Sequence, residues 1–141
     1  MSEWRAVVGF EGWYEISRDG GVQSVDRTII RRNRWGGYDP YLLRGQPIIP
    51  WIEARTGYPT VGLRRPGSKR TVNVHILVLE AWTGPCPAGM EACHYDDVRT
   101  HNSIDNLRWD TRSANTFDSL RNGTRKHGPG GYVAVGPRAA E

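Results

Sequence analysis

The chain has 141 residues, which is enough for one compact domain or for a small binding module joined to a small catalytic one. Its 17 glycines and 9 prolines favour short strands and turns over long helical bundles. Two cysteines are too few for a disulfide scaffold or for a paired-cysteine zinc fold. Because no run approaches the roughly 20 apolar residues that span a bilayer, we expect a soluble, cytoplasmic protein that does not bind membranes.

Positive charge is concentrated in three stretches of the chain. Lysine and arginine number 19 against 15 aspartates and glutamates, a net charge of +4, and the basic residues cluster at 27–34, 64–70 and 121–126. Since Lys and Arg displace counterions from a phosphate backbone, this clustering favours a nucleic acid partner, whereas a solvated basic face is the alternative on charge alone. The candidate DNA-binding residues here are Arg31, Arg32, Arg34, Arg64, Arg65, Lys69 and Arg70.

The N-terminal half predicts antiparallel β structure. Residues 14–17 and 22–25 are β-prone and flank an Asp-Gly pair, which supplies the positive φ of a tight hairpin turn. Residues 59–63 and 71–74 predict a second hairpin with a basic tip.

Between the two predicted hairpins lies an arginine-rich stretch, residues 26–45, which we expect to be an irregular and poorly ordered loop. Its Trp35 and Tyr38 are the aromatic candidates for contact with nucleic acid, because bases stack on such rings.

Two helices are predicted in the C-terminal half. The apolar run 75–82 has no decisive periodicity, and we favour a short buried helix over a strand. Residues 114–120 have helical apolar spacing, with Thr111 or Ser113 as the N-cap and Asn122-Gly123 at the end. The Gly-rich tail that follows is expected to be disordered.

The segment between these helices carries the residues with the clearest chemistry. His94 is expected at a strand end, followed by a loop rich in Asp and Asn, a strand at 107–109 and a helix that bears Asn115. Phosphodiester hydrolysis requires a general base and a divalent ion. A neutral His94 can serve as the base, and Asn115 can present an amide oxygen to Mg²⁺. Asn106 is expected to tie the loop together, and Arg108 and Arg112 are candidates for clamping the phosphate.

Several spaced elements of this segment resemble the HNH endonuclease family, in the branch common in phage genomes and among intron-encoded homing endonucleases. These elements are His94-Tyr95-Asp96, Asn102, Asn106-Leu107-Arg108-Trp109 and Thr111-Arg112-Ser113-Ala114-Asn115. Trp4 and residues 9–17 and 21–24 resemble the nuclease-associated modular DNA-binding motif that precedes such domains.

The resemblance implies an α+β fold, with a small antiparallel β module followed by a helix and a ββα-metal nuclease unit. We divide the chain into the β module at 1–73, the nuclease domain at 74–124 and the tail at 125–141. The implied activity is metal-dependent cleavage of double-stranded DNA by a phage-encoded protein in a bacterial host. The residue roles it implies are His94 as general base, Asn115 as metal ligand and Asn106 as loop brace.

One departure from the family concerns the metal. Relatives place a metal-binding Asp or Asn directly before the catalytic His, where this chain has Cys93. Because a thiolate is a poor ligand for Mg²⁺, either Asp96 or Asp97 assists Cys93 and Asn115, or the preference shifts toward Mn²⁺ or Zn²⁺.

Two other classes of protein remain as alternatives. The first is a catalytically inactive DNA-binding protein derived from such a nuclease, and the more remote one is an RNA-binding module. A zinc site of Cys86 and Cys93 with His94 and His101 is disfavoured, because the spacing matches no common pattern. His75 is expected to be structural rather than to contact phosphate.

Overall fold

The computed structural model describes residues 3–123, so the tail predicted at 125–141 lies outside the described residues. Short antiparallel sheets and two helices make up this range, which confirms the predicted α+β class. The strands are β1 Trp4–Ala6, β2 Tyr14–Ser17, β3 Val22–Ser24, β4 Arg27–Arg32, β5 Tyr38–Leu43, β6 Pro47–Ile48, β7 Trp51–Ile52, β8 Pro59–Arg65, β9 Ser68–Asn73, β10 Glu91–His94 and β11 Leu107–Asp110. The helices are α1 Val74–Trp82 and α2 Arg112–Arg121.

Both predicted hairpins of the N-terminal half are present. Strands β2 and β3 pair with Ile16 opposite Val22 and belong to a sheet of order β1-β2-β3-β6. Strands β8 and β9 pair from Thr60↔Asn73 to Arg65↔Ser68, and β7 pairs with the other edge of β8 to give a three-stranded sheet. The prediction from β propensity and turn residues is therefore confirmed at both places.

The expectation of an irregular loop at 26–45 was wrong. Strands β4 and β5 pair over six positions, from Arg27↔Leu43 to Arg32↔Tyr38. The Asn33 side chain closes the turn, because its Oδ1 accepts from the backbone N–H groups of Trp35 at 3.0 Å and Gly37 at 2.8 Å. This side-chain turn lets the β-branched and aromatic residues of the stretch form a two-stranded ribbon.

Helix α1 confirms the buried helix predicted at 75–82 and lies at the centre of the core. Its Leu77, Val78 and Leu79 are at most 1% exposed, because strands from both halves of the chain cover them. The hydrophobic core combines Val7, Phe10, Ile16 and Val22 with Val61, Leu63, Val72, Val74, Leu77, Val78, Leu79 and Leu107. Trp13, Tyr14, Trp82 and Trp109 pack against it.

Helix α2 begins and ends where predicted. Thr111 is the N-cap, and its hydroxyl accepts a hydrogen bond from the N–H of Ala114 at 3.2 Å. The helix ends at Arg121, and Asn122 donates its backbone N–H to the Asp118 carbonyl at 2.9 Å. Neither helix within residues 3–123 has the length and apolar content needed to cross a membrane.

Candidate active site

The β10–β11 hairpin presents two different faces. Its strands pair with Cys93 opposite Arg108 and His94 opposite Leu107. Because side chains alternate along a strand, Glu91 and Cys93 project from one face and His94 projects from the other. We call the first the ionic face, formed by Glu91, Cys93, Arg108, Asp110, Asn115 and Asp118, and the second the histidine face, formed by His94, Asn102, His75 and Tyr58.

On the histidine face, a single hydrogen bond fixes the protonation of His94. The ring is 4% exposed, and its Nε2 lies 2.8 Å from the Oδ1 of Asn102, which is itself 6% exposed. An amide oxygen can only accept a hydrogen bond, so Nε2 carries the proton of the neutral imidazole. The lone pair is therefore on Nδ1, which is the nitrogen able to take a proton from a bound water.

Two aromatic rings contact His94 on this face. The His75 ring lies at 4.8 Å and the Tyr58 ring at 6.0 Å, measured between ring centroids. Burial lowers the pKa of His75 to about 3, and its Nδ1 is buried without a hydrogen-bond partner. Burial also lowers the pKa of His94, against the opposing effect of the Asn102 hydrogen bond. Both rings are accordingly neutral at pH 7.

The loop after His94 is held by Asn106 and Asp96. Asn106 accepts from the N–H of Asp96 at 3.2 Å and donates to the Asp96 carboxylate at 2.8 Å and to the His101 carbonyl at 2.9 Å. These bonds have the form expected of a loop brace. Partial burial raises the pKa of Asp96, but bonds from His101, Val98 and Asn106 outweigh it and lower that pKa to about 2. Asp96 is thus engaged inside the loop, and Asp97 follows it with a φ of 59°.

The ionic face is organised around Arg108. Its guanidinium donates to Asp110 at 2.8 Å and to Asp118 at 2.7 Å, and Asp118 also pairs with Arg121 at 2.8 Å. Although burial acts in the opposite direction, these carboxylates raise the pKa of Arg108. The sequence predicted Arg108 as a phosphate clamp, but its contacts are those of a structural ion pair, because two carboxylates already neutralise it.

Cys93 does not have the chemistry of a metal ligand for Mg²⁺. Its side chain is fully buried, and burial raises the pKa of its thiol to about 11, so it is a neutral thiol at pH 7. A group of three His, Cys, Asp or Glu side chains able to hold a metal ion is absent from residues 3–123.

Hard oxygen donors are present beside Cys93, on Asn115 and Glu91. The Asn115 Nδ2 donates to the Glu91 carboxylate at 2.8 Å, whereas the Asn115 Oδ1 accepts no hydrogen bond within residues 3–123. An amide oxygen next to a carboxylate suits Mg²⁺ or Mn²⁺, with waters and substrate oxygens as further ligands. The donor set therefore fits a divalent ion through Asn115 and Glu91. The structure does not bring His94 into contact with Asn115.

The predicted DNA-binding residues fall into two groups. Arg31 stacks over Tyr41 at 4.2 Å and Arg34 over Trp35 at 4.6 Å, on a ribbon whose Trp35 is 81% exposed. By contrast, Arg70 is committed to Glu80 through two bonds of 2.9 and 3.0 Å. Arg65 donates to the Gly9 carbonyl at 2.9 Å. Among the predicted DNA-binding residues, those with no ion pair within the described range are Arg31, Arg32, Arg34, Arg64, Arg65, Lys69 and Arg112.

Sequence reasoning missed several residues of this site. Asn102 was noticed only as part of a motif, and Glu91, Asp118 and Tyr58 were given no role. Asp118 carried a usable signal, because it lies three residues after Asn115 and so on a neighbouring position of the same helix face. The contact between Tyr58 and His94 had no local signal, since it joins distant parts of the chain.

Comparisons with known proteins agree with this geometry. Residues 72–117 match the family model described as HNH endonuclease, and residues 3–64 match the NUMOD4 motif. The chain is similar to the DNA endonuclease I-HmuI of Bacillus phage SP01, with 28% identity over 122 residues that cover 86% of this chain and 60% of that protein. A solved structure described as DNA binding and cleavage by the HNH homing endonuclease I-HmuI superposes with a TM-score of 0.67 at 27% identity, covering 89% of this chain and 62% of that one. The chain thus spans about three fifths of its relative's length.

Proposed function

We propose that this chain is a metal-dependent endonuclease acting on double-stranded DNA, because residues 72–117 match the HNH endonuclease family model and residues 3–64 match the NUMOD4 motif. The observation that supports the proposal most directly is the buried His94, whose bond to Asn102 leaves Nδ1 free to accept a proton. The activity named for its relative I-HmuI, DNA binding and cleavage, is consistent with this chemistry.

In the proposed reaction, His94 activates water. Its Nδ1 takes a proton from a water molecule as the water oxygen attacks the phosphorus atom, and the bond to the leaving 3′-oxygen breaks. The Asn102 oxygen accepts from the Nε2–H both before and after this transfer, so it fixes the tautomer of the neutral ring and then stabilises the imidazolium. Neighbouring His75 stays neutral and adds no competing charge. A divalent ion held by Asn115 and Glu91 would stabilise the negative charge on the phosphate and the leaving oxygen.

The basic residues supply the proposed DNA-binding surface. The β4–β5 ribbon carries Arg31, Arg32 and Arg34 beside exposed Trp35 and Tyr38, and Arg64 and Lys69 lie near the tip of the β8–β9 hairpin. Free guanidinium and ammonium groups of this kind bind phosphates and hold the duplex in register. We expect a phage-encoded protein that acts in the cytoplasm of its bacterial host, as its relative from a Bacillus phage suggests.

A catalytically inactive DNA-binding protein is the second candidate. Cys93 supports it, because a buried thiol with a pKa of about 11 stands where relatives were expected to have a metal-binding side chain. In this case the β4–β5 ribbon would keep its affinity for DNA, and the histidine face would be what is left of an active site that no longer cleaves.

Plasmid cleavage separates the two candidates. Supercoiled plasmid is incubated with the parent protein and with His94→Ala, in Mg²⁺, Mn²⁺, Zn²⁺ or EDTA, and binding to a labelled duplex is measured in parallel. His101→Ala is the matched control, because this histidine is exposed and its side chain bonds to Asp96. We expect metal-dependent nicking that falls by roughly 100- to 10,000-fold in His94→Ala, with binding unchanged. Binding without nicking in any metal would favour the inactive protein.

A further inference from the structure

The turn between β2 and β3 touches the loop that carries Asn102. Gly20 lies in this turn with a φ of 91°. A Cβ atom at Gly20 would lie 3.0 Å from the Cβ of Asn102 and 3.3 Å from its carbonyl oxygen. Contacts this short force the neighbour to move, and here the neighbour includes backbone atoms. The close approach therefore requires glycine.

A second contact ties the same turn to the same loop. The backbone N–H of Ile104 donates to the carbonyl of Arg18 at 2.8 Å. Arg18 also pairs with Asp105 at 3.2 Å, in an exposed ion pair that adds little. The turn thus contacts the loop at two points. Gly20 lies against Asn102, and the carbonyl of Arg18 accepts a hydrogen bond from Ile104, two residues later.

We propose that the β2–β3 turn of the N-terminal sheet is a positioning element for the general base, acting on His94 through Asn102. This inference rests on the proposed function of His94. A 2.8 Å bond between Nε2 and Oδ1 survives only small shifts of the Asn102 backbone. The other two rings in contact with the imidazole do not select a tautomer, because the His75 ring is tilted against it at 53° and the Tyr58 ring is stacked at 20°. The tautomer of His94 therefore depends on contacts made by the N-terminal sheet.

A pair of glycine substitutions tests the proposal with a matched control. Gly20→Ala places a methyl group against Asn102. Gly12→Ala introduces the same kind of backbone strain, at a φ of 79°, where nothing lies within 4 Å of the added atom. Both proteins are checked for a folded circular dichroism spectrum and for duplex affinity. This design separates strain in a turn from displacement of Asn102.

The first measurement is the ¹⁵N NMR spectrum of the His94 ring at pH 8, assigned by its loss in His94→Gln. In the parent and in Gly12→Ala we expect one protonated Nε2 and one bare Nδ1. In Gly20→Ala we expect the two nitrogen signals to move toward each other as the tautomers mix. Unchanged signals in Gly20→Ala would overturn the proposal.

The second measurement is single-turnover cleavage with the same proteins. Gly20→Ala is expected to lower the rate by roughly 10- to 100-fold with unchanged affinity for DNA, whereas Gly12→Ala changes it less than about 3-fold. In a protein that already carries Asn102→Ala, Gly20→Ala should lower the cleavage rate by no more than Gly12→Ala does. The reason is that the Asn102 side chain, through which the turn is proposed to act, is already absent. Full additivity of Gly20→Ala and Asn102→Ala would contradict action through Asn102.

The two proposals fail in different ways. If the parent protein cleaves no DNA in any metal, the nuclease function fails, while the NMR comparison still decides whether the turn sets the His94 tautomer. If the parent cleaves and Gly20→Ala cleaves equally well, the positioning role fails alone.

Discussion

The two faces of the β10–β11 hairpin hold their polar groups in opposite ways. On the histidine face, burial lowers the pKa of His94, and it outweighs the opposing effects of the Asn102 hydrogen bond and of the Asp96 and Asp97 carboxylates. On the ionic face, Arg108 is neutralised by two carboxylates, which accept from its Nε and its Nη2, whereas its buried Nη1 has no hydrogen-bond partner within residues 3–123.

The contrast teaches that charge near the site is not the same as function. A lowered pKa keeps a base available at neutral pH, which the histidine face achieves through burial. Arg108 on the ionic face fastens β11 to α2 and so maintains the shape that presents Asn115.

The largest expected effect is on stability, and it comes from the buried ion pair between Arg108 and Asp118. Asp118→Asn removes the negative charge of a carboxylate that is only 3% exposed, so the positive charge of Arg108 loses its buried partner. The substitution should lower the free energy of unfolding by about 3–5 kcal/mol. Asp110→Asn is the matched control, because Asp110 binds the same Arg108 but is 34% exposed, and should cost about 1 kcal/mol or less. Urea unfolding measures both. Equal losses would mean that burial does not distinguish the two pairs.

Metal affinity is expected to depend on the Asn115–Glu91 pair. Glu91→Ala and Asn115→Ala should each weaken Mn²⁺ binding by roughly 10- to 100-fold, measured by titration calorimetry without DNA. Glu80→Ala removes an equal charge from α1, away from this pair, and should leave affinity unchanged. Mn²⁺ binding that survives Asn115→Ala would place the ion elsewhere.

The histidine face is expected to make stability sensitive to acid. The pKa of folded His75, about 3, lies below its ordinary value of 6.5, so the unfolded chain takes up the proton first. Stability is therefore complete above pH 6.5 and falls by up to about 1.4 kcal/mol for each pH unit below it, until the pH nears 3. His75→Phe should reduce this slope between pH 6 and 4.5 in denaturant titrations. An unchanged slope would show that His75 is not the group responsible.

The smallest effects concern the arginines that we propose to bind DNA. Arg31→Gln and Arg34→Gln should each reduce the slope of log affinity against log salt concentration by about 0.9, because each removes one phosphate contact. Arg70→Gln should leave the slope unchanged, since Glu80 already binds that guanidinium. Fluorescence anisotropy with a duplex at several salt concentrations measures all three. A drop in slope for Arg70→Gln alone would reverse this assignment.

Local signals in the sequence were enough to predict much of the fold. The Asp-Gly turn predicted the β2–β3 hairpin, and Thr111 with the apolar spacing after it predicted α2. The β4–β5 ribbon was missed because its turn is closed by the Asn33 side chain, which a scan for Gly and Pro signals does not weigh.

The site could be predicted only in part. His94 and Asn115 were found because their spacing repeats a family pattern. The contacts of His94 with Asn102, His75 and Tyr58 depend on how loops and α1 pack together, which the spacing does not encode. The ion pairs of Arg108 were unpredictable for the same reason, because Asp118 reaches it only after α2 docks on β10 and β11.

The shared core has a consequence for how such a gene can be rearranged. Val7, Ile16 and Val22, in the part that matches the NUMOD4 motif, pack in the same core as Leu77 and Leu107, in the part that matches the HNH model. A recombination event that moved residues 72–117 alone into another gene would leave that apolar surface open to water. We therefore expect the two sequence motifs to be inherited together, with exchange between genomes tolerated at the outer ends of the pair rather than between them.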